Sequence, residues 1–129
     1  DTDGEFVKHF ESNAGDGLTV DVVQGIMNLK GFLNVHLIEG DVLKTLPDYL
    51  AKNPQKRFAL VHLDMDVYQP THTTLRSIWD KVVTGGLVVI DDFNAVAGAT
   101  EAVEEFVEEN GLRLDKNPFY AVPSYLVKE

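Results

Sequence analysis

The sequence of 129 residues contains no cysteine, so disulfide bonds, thiolate zinc sites and cysteine nucleophiles are all excluded. Basic residues are scarce: 11 lysines and arginines stand against 21 aspartates and glutamates, which gives a net charge of −10. This balance argues against a nucleic-acid backbone or an anionic membrane as the partner. No apolar run approaches the roughly 20 residues of a membrane span, and the opening DTDGEF is not typical of a signal peptide. We expect a soluble protein, with the cytoplasm as its default location.

The chain does have the composition of a globular protein and an alternation of helical and strand-like segments. Apolar residues make up 44% of it, and its length suits a single domain over residues 1–129. This alternation is typical of an α/β fold. The first predicted elements are a polar, mobile leading segment over 1–18, a helix from Thr19 to Lys30 that stops at Gly31, and a strand over 34–39 (NVHLIE). They are followed by a helix starting at Pro47, a strand over 57–63, a helix capped by Thr71, a turn at Gly85-Gly86 and a strand over 87–90. The last are a helix over 98–110 that stops at Gly111 and an antiparallel hairpin that turns around Asn117-Pro118.

Two acidic pairs follow two of the predicted strands: Asp64 and Asp66 come after FALVHL, and Asp91 and Asp92 come after LVVI. Because a right-handed crossover returns the chain in its original direction, both pairs reach the same edge of a parallel sheet. Ligands of open α/β sheets bind at this edge. Carboxylates gathered there repel one another unless they are protonated or bridged by a cation, which indicates a hard divalent metal. The alternative is structural, with Asp66 and Asp92 each capping the segment that follows.

Three sequence motifs carry a resemblance to a known family. They are HLDMDVYQPT over residues 62–71, VTGGLVVIDDF over 83–93 and GATEAVEEF over 98–106. The chain resembles the C-terminal half of a class I S-adenosylmethionine-dependent methyltransferase. More narrowly, it is similar to the macrocin O-methyltransferase family, metal-dependent enzymes that methylate sugar hydroxyls of natural products. In that family one strand ends in Asp-x-Asp-x-Tyr-x-x-Thr, and a later Gly-Gly turn leads into a strand that ends in Asp-Asp.

The resemblance implies a fold, an activity and a metal site. The fold would be a Rossmann-like class I methyltransferase sheet with a C-terminal antiparallel hairpin. The activity would be S-adenosylmethionine-dependent O-methylation of a small molecule, such as a natural-product sugar. Asp64, Asp91 and Asp92 would hold Mg²⁺, which leaves open positions for substrate oxygens. A hydroxyl bound to the metal loses its proton more easily and is oriented toward the methyl group. Asp66 alternates away from Asp64 on an extended strand and is expected to face elsewhere.

The resemblance also implies cofactor contacts at Asp41, Val42 and Asp64, because Glu39-Gly40-Asp41 stands where these methyltransferases contact adenine. The alternative is a turn in which Asp41 caps the next segment. One departure from the family is the lack of a strand followed by Gly-x-Gly-x-Gly, the loop that binds the methionine end of the cofactor. We therefore expect that the first two strands are missing and that the chain is a fragment, with its N-terminal half absent or supplied by another chain.

The catalytic base is the least defined part of the expected site. His9, in the leading segment, and His72, at the start of a predicted helix near the carboxylates, are the two candidates. Histidines on a helix surface are common, so a structural role is the alternative for both. Related catechol-type enzymes carry a lysine three residues after the first metal aspartate, and Val67 occupies that place here.

Two other function classes stay open at this point. One is a glycosyltransferase, in which Asp-x-Asp after a strand holds Mn²⁺ and a nucleotide-sugar diphosphate; the later Asp91-Asp92 speaks against it. The other is a truncated, non-catalytic Rossmann-like module, which the missing Gly-rich loop favours. The expected partner is a small hydroxylated molecule. Neither a nucleic acid nor a membrane is expected, and assembly into a homo-oligomer is left open.

Overall fold

A computed structural model of the protein describes residues 2–14, 17–120 and 122–129. Five helices and four strands are found in these residues. The helices are α1 (Thr2–Ala14), α2 (Val20–Leu29), α3 (Val42–Lys52), α4 (Tyr68–Ile78), which continues into a single 3-10 turn (Trp79–Lys81), and α5 (Ala97–Asn110). The strands are β1 (Phe58–Leu63), β2 (Val82–Ile90), β3 (Asp115–Lys116) and β4 (Ser124–Val127). None of these helices has the length and apolar character needed to cross a membrane.

The four strands form one mixed sheet in the order β1-β2-β4-β3. β1 and β2 are parallel and are joined by α4, which is the expected βαβ crossover. β4 runs antiparallel to β2, with Ile90 opposite Ser124, and β3 pairs antiparallel with β4. The predicted α/β class and the predicted C-terminal hairpin are therefore confirmed.

The hydrophobic core lies between one face of this sheet and helices α4 and α5. It is built from buried side chains of the helices and the strands: Leu63, Leu75, Ile78, Trp79, Val82, Val88, Ile90, Val103, Phe106 and Leu126. The rings of Trp79 and Phe106 meet edge to face at 5.6 Å between centroids, a favoured aromatic geometry. Both residues are core residues, as their helical spacing predicts.

The opposite face of the sheet is uncovered in the described part of the chain. Leu60, Leu87 and Val127 lie side by side across β1, β2 and β4, and we call them the apolar row. Their exposed fractions are 62%, 36% and 39%. β1 is also the outermost strand on its side of the sheet described here, so its outer edge lacks a strand partner within those residues. The uncovered face of the sheet is suited to the packing of further helices, and the free edge of β1 is suited to pairing with a further strand.

Two expectations for the first 40 residues are wrong. The leading segment is a helix from Thr2 to Ala14 rather than a loop, with Asp3 and Glu5 in its first turn, where acidic side chains favour a helix. The prediction for residues 1, 15 and 16 lies outside the described residues. The segment over 34–39 is irregular rather than a strand. An extended segment needs a hydrogen-bonded neighbour, and none of the described strands pairs with it.

Two helix starts are also wrong, while both helix stops are confirmed. α3 begins at Val42 because Asp41 caps it, accepting a hydrogen bond from the Leu43 N–H at 3.0 Å, so Pro47 is an interior residue. α4 begins at Tyr68, and the Thr71 hydroxyl donates back to the Val67 carbonyl at 2.9 Å instead of capping. The predicted stops hold: α2 ends just before Gly31, and Gly111 ends α5 in the left-handed conformation.

Gly85 and Gly86 lie inside β2 rather than in a turn before it. Gly85 has a φ of 77°, and the pairing of β1 with β2 shifts in register between Phe58 and Leu60. A Cβ on Gly86 would lie 2.8 Å from the Val83 carbonyl oxygen. The Gly-Gly pair therefore allows a bulge in β2 that a larger residue at position 86 would disturb.

Candidate metal and active site

Three aspartates meet at the carboxyl ends of β1 and β2. Asp64 directly follows β1, and Asp91 and Asp92 directly follow β2. One carboxylate oxygen of each residue lies within 4.8 Å of an oxygen of the other two. The backbone N–H of Asp91 donates to the Leu63 carbonyl at 2.9 Å, which extends the β1–β2 ladder up to the site. The parallel pairing of the strands thus brings the predicted metal aspartates together.

The three carboxylates differ in exposure, from the exposed Asp64 to Asp92, which is only 8% exposed. The buried Asp92 accepts a hydrogen bond from the backbone N–H of Asp66 at 3.0 Å. Neither Asp66 nor Asp92 caps a helix with its side chain, since Val67 and Val96 hold the cap positions of α4 and α5. The alternative of structural caps is therefore wrong for these two side chains.

Asp66 lies beside the cluster in a left-handed backbone conformation, with a φ of 59°. Burial, followed by the negative charges of Asp92 and Asp64, raises the pKa of Asp66 above its ordinary value. The part of this pKa shift that comes from the neighbouring carboxylates is one that a bound cation would oppose.

His62 makes a contact that the sequence interpretation missed. Its Nε2 lies 3.2 Å from Oδ1 of Asp91, and both side chains are about half exposed. The contact follows from the register of the two parallel strands, which pairs His62 with Val89, two residues before Asp91. The imidazole therefore holds one side of the Asp91 carboxylate.

Asp3 makes a second missed contact, which ties α1 to the site. Its two carboxylate oxygens accept hydrogen bonds from the backbone N–H groups of Tyr68 and Gln69 at 3.0 and 3.1 Å. These donors belong to the first turn of α4, which otherwise lacks a side-chain cap. Gly98 leaves room for the contact, because a Cβ there would lie 2.7 Å from Oδ1 of Asp3. No sequence signal links positions 65 residues apart.

The two histidines proposed as bases lie on helices. His9 is exposed on α1, where its carbonyl accepts hydrogen bonds from Ser12 and Asn13. His72 lies one turn into α4, with its ring 5.1 Å from the Tyr68 ring, and its Nδ1 is buried without a hydrogen-bond partner. Tyr68 itself donates its hydroxyl to Glu105 at 2.7 Å and so joins α4 to α5. A catalytic role for either histidine stays a prediction.

The residues expected to contact adenine lie at the start of α3. One oxygen of Asp41 is occupied as the cap of this helix, and its second oxygen lies 3.7 Å from Nζ of Lys44. Val42 borders a mostly apolar cavity of about 390 Å³. The cavity is lined by Ile38, Gly40, Val42, Thr45, Leu46, Tyr49 and Phe58. Its lining is mostly apolar, as ligand pockets commonly are, and cofactor binding there stays a prediction.

The carboxylate cluster has the chemistry of a site for a hard divalent cation. Three carboxylates from two strand ends supply oxygen ligands, and the exposed side of Asp64 leaves space for further oxygens. The described structure is thus an α/β protein with a mixed sheet, helices α4 and α5 on one face, and an acidic cluster at the carboxyl ends of the two parallel strands, the edge at which open α/β sheets bind their ligands.

Comparison with known proteins specifies this class. The sequence model of the family described as Macrocin-O-methyltransferase (TylF) matches residues 19–123. The chain belongs to this family, and the predicted resemblance is confirmed.

Several individual relatives are similar to parts of the chain. It is 32% identical over 81 residues to demethyldecarbamoylnovobiocin O-methyltransferase of Streptomyces niveus, covering 60% of this chain and 30% of the relative. It is also 32% identical over 76 residues to 8-demethyl-8-(2,3-dimethoxy-alpha-L-rhamnosyl)-tetracenomycin-C 4'-O-methyltransferase of Streptomyces olivaceus, covering 56% and 29%. The chain thus spans less than a third of the length of these relatives in the matched regions.

Two solved structures extend the comparison to the fold. The apo structure of CalS11, a TDP-rhamnose 3'-O-methyltransferase of calicheamicin biosynthesis, matches with a TM-score of 0.65 and 34% identity over 70% of this chain and 40% of that one. The O-methyltransferase NovP matches with a TM-score of 0.82 and 22% identity over 98% of this chain and 51% of that one. The fold of nearly the whole chain is thus the fold of about half of NovP.

Proposed function

We propose that this chain carries the metal-binding part of an S-adenosylmethionine-dependent, Mg²⁺-assisted O-methyltransferase that acts on a hydroxyl of a small molecule. The observation that carries the proposal is the meeting of Asp64, Asp91 and Asp92 within 4.8 Å in a member of the macrocin O-methyltransferase family. A set of three carboxylates fits Mg²⁺, which takes oxygen ligands and keeps several positions for water or substrate.

The proposed acceptor is the hydroxyl of a natural-product sugar. CalS11 is described as acting on TDP-rhamnose, and the relative from Streptomyces olivaceus as acting on a rhamnosyl-tetracenomycin. A deoxysugar hydroxyl is therefore the acceptor class that the relatives favour.

The proposed chemistry is an in-line displacement at the sulfonium methyl group. The acceptor oxygen forms a bond to the methyl carbon while the carbon–sulfur bond breaks and the hydroxyl proton passes to a base or to water, which yields the methyl ether, S-adenosylhomocysteine and one proton. When bound, Mg²⁺ would lower the pKa of the acceptor hydroxyl and fix its orientation. Asp91 and Asp92 would hold the ion from the end of β2, and the imidazole of His62 contacts Asp91 from the side.

We further propose that residues 1–129 are the C-terminal part of a methyltransferase domain. The Asp41–Val42 segment would serve the adenine end of the cofactor, beside the cavity of about 390 Å³. The methionine end would be bound by residues beyond these 129, because the sequence has no Gly-x-Gly-x-Gly motif. The uncovered face of the sheet and the 51% coverage of NovP support this division.

The same missing motif favours a second candidate, a non-catalytic module that has kept the sheet but not the cofactor site. The glycosyltransferase alternative has less support, because the cluster joins Asp64 to Asp91 and Asp92 rather than to Asp66. Titration calorimetry with Mg²⁺ followed by S-adenosylhomocysteine separates the two remaining candidates when it is carried out on these residues joined to the N-terminal residues that the proposal requires. The methyltransferase proposal expects both to bind, whereas the module expects no binding of S-adenosylhomocysteine, with or without Mg²⁺.

The metal assignment has its own test with a matched control. Replacement of both Asp91 and Asp92 by Asn should abolish Mg²⁺ binding and any Mg²⁺-dependent methyl transfer from S-adenosylmethionine to TDP-rhamnose. The Asp80→Asn variant, which changes an exposed aspartate in the 3-10 turn, should bind Mg²⁺ as the wild type does. Mg²⁺ binding by the double variant with unchanged affinity would refute the metal site.

A further inference from the structure

The loop between β3 and β4 lies at the same edge of the sheet as the carboxylates. β4 runs antiparallel to β2, and the first residue of β4, Ser124, pairs with the last residue of β2, Ile90. The chain therefore enters β4 from the end at which Asp91 leaves β2. Because neighbouring strands are about 5 Å apart, the base of this loop lies about 5–10 Å from Asp91 along the sheet edge.

Two aromatic rings in this loop are exposed to solvent. Phe119 is 89% exposed and Tyr120 is 63% exposed, although both are large and could bury apolar surface. The loop that carries them has a defined turn. Asn117 accepts a hydrogen bond from the Phe119 N–H with its side chain at 3.0 Å and from the Tyr120 N–H with its carbonyl at 3.2 Å. Adjacent exposed aromatic rings on a hydrogen-bonded turn are suited to contact a ligand.

We propose that Phe119 and Tyr120 are specificity-determining residues that contact an apolar ring attached to the hydroxyl-bearing part of the acceptor. The inference rests on the proposed function, since it takes the carboxylate cluster as the place of the reacting hydroxyl. Aromatic rings stack on other flat apolar rings, whereas the cluster itself offers only polar groups. The acceptor class is therefore a glycoside whose aglycone carries an aromatic or similarly flat ring, rather than a free sugar.

Two probes that differ only in the aglycone test this inference: 4-nitrophenyl α-L-rhamnoside and free L-rhamnose. Binding of each to the Mg²⁺-loaded chain is measured by titration calorimetry or by ligand-observed NMR. The wild type should bind the aryl rhamnoside about tenfold or more tightly than rhamnose. In the double variant Phe119→Ala/Tyr120→Ala this preference should fall to about twofold or less, because the stacking surface is gone.

Three controls keep the outcome specific. Phe10→Ala removes another exposed ring, 52% exposed on α1, and should leave the aryl preference unchanged. Phe119→Trp keeps an aromatic surface and should retain most of the preference. Mg²⁺ affinity should be the same in all variants, and the far-ultraviolet circular dichroism should match the wild type, since the altered side chains are exposed.

Two results would overturn the inference: an aryl preference that survives in the double variant, or a Mg²⁺-loaded wild type without any preference for the aryl rhamnoside, including one that binds neither probe. Failure of the proposed function is recognised separately. In that case Mg²⁺ does not bind, or its binding is insensitive to replacement of Asp91 and Asp92, whatever the response to the two sugars.

Discussion

At the scale of single residues, Asp92 combines the deepest burial in the cluster with a contact to the neighbouring backbone. It is 8% exposed, and its carboxylate accepts the N–H of Asp66. The Asp92 carboxylate therefore has two roles: it accepts a hydrogen bond within the fold, and it would bind the proposed metal. An asparagine at this position keeps an acceptor for the hydrogen bond but removes the charge, so the variant separates the two roles.

We expect Asp92→Asn to leave the metal-free protein as stable as the wild type or more stable, because one of several repelling carboxylates is neutralised. The same variant should lose most of the stabilisation that Mg²⁺ gives to the wild type, since stabilisation by a ligand follows its affinity. Thermal unfolding followed by circular dichroism, with and without Mg²⁺, measures both effects. The Asp80→Asn variant serves as the control and should respond to Mg²⁺ normally.

Gly86 is a second residue of interest, because it lies where a side chain has no room. Its hypothetical Cβ would lie 2.8 Å from the Val83 carbonyl oxygen and 3.2 Å from that of Ala59, which are backbone atoms and cannot turn aside. We expect Gly86→Ala to destabilise the protein by about 2–4 kcal/mol. Gly25→Ala is the matched control: it lies inside α2 with nothing within 4 Å, so alanine should be neutral or stabilising by about 0.5–1 kcal/mol. Urea denaturation of the two variants gives the comparison, and equal effects would contradict it.

At the scale of elements, the N-terminus of α4 depends on α1. Asp3 supplies the two acceptors for the first turn of α4, and α1 beyond Phe6 is largely exposed up to residue 13. The attachment of α1 to the rest of the described structure therefore depends strongly on this one carboxylate.

Replacement of Asp3 by Ala should cost about 1–2 kcal/mol of stability, the usual effect of losing a helix cap. Amide hydrogen exchange should become faster in α1 and at Tyr68 and Gln69, while α5 keeps its protection. Asp3→Asn retains an acceptor and should have a smaller effect, and Glu5→Ala, an exposed acidic residue in the same turn of α1, should have little. Unchanged exchange at Tyr68 and Gln69 in Asp3→Ala would contradict the capping role.

Which elements could be predicted from the sequence depended on how local their signals were. Thr19 caps α2 and Gly111 ends α5 through contacts with residues a few positions away, so local patterns were sufficient. The start of α4 was predicted wrongly at Thr71 because the cap of this helix comes from Asp3, which is distant in sequence. The segment over 34–39 was predicted wrongly as a strand because an alternating pattern does not show whether a neighbouring strand is present to pair with it.

The same distinction applies to the site. The meeting of Asp64 with Asp91 and Asp92 followed from the handedness of one βαβ unit, which a sequence reveals. The contact of His62 with Asp91 needed the register of β1 against β2, and that register includes a bulge in the glycine-containing part of β2. The contact of Asp3 needed the tertiary structure itself.

At the scale of the whole molecule, the sheet is covered on one face only within the described residues. The apolar row of Leu60, Leu87 and Val127 is contiguous across three strands, and contiguous exposed apolar surface favours association. We therefore expect the 129-residue chain, when isolated, to bind an apolar dye and to self-associate as its concentration rises.

The double variant Leu60→Thr/Leu87→Thr should reduce both effects while changing the free energy of unfolding by no more than about 0.5–1 kcal/mol, because both side chains are exposed and threonine suits a strand. Dye fluorescence and sedimentation velocity measure the association. Leu33→Ser changes a leucine that is 93% exposed outside the sheet and should leave the association as it is. Equal association of all three proteins would show that the apolar row is not the surface responsible.

The hydrogen bonds of Asp3 also have a consequence for the order of folding. Tyr68 and Gln69 receive their acceptors from a residue about 65 positions earlier, so closing this contact requires a long loop and a large loss of chain entropy. The C-terminal turns of α4 pack on α5 and do not require the closure of this long loop. We therefore expect the first turn of α4, beside the carboxylates, to be among the last parts of the molecule to become protected, so the site would be completed only after the core has formed.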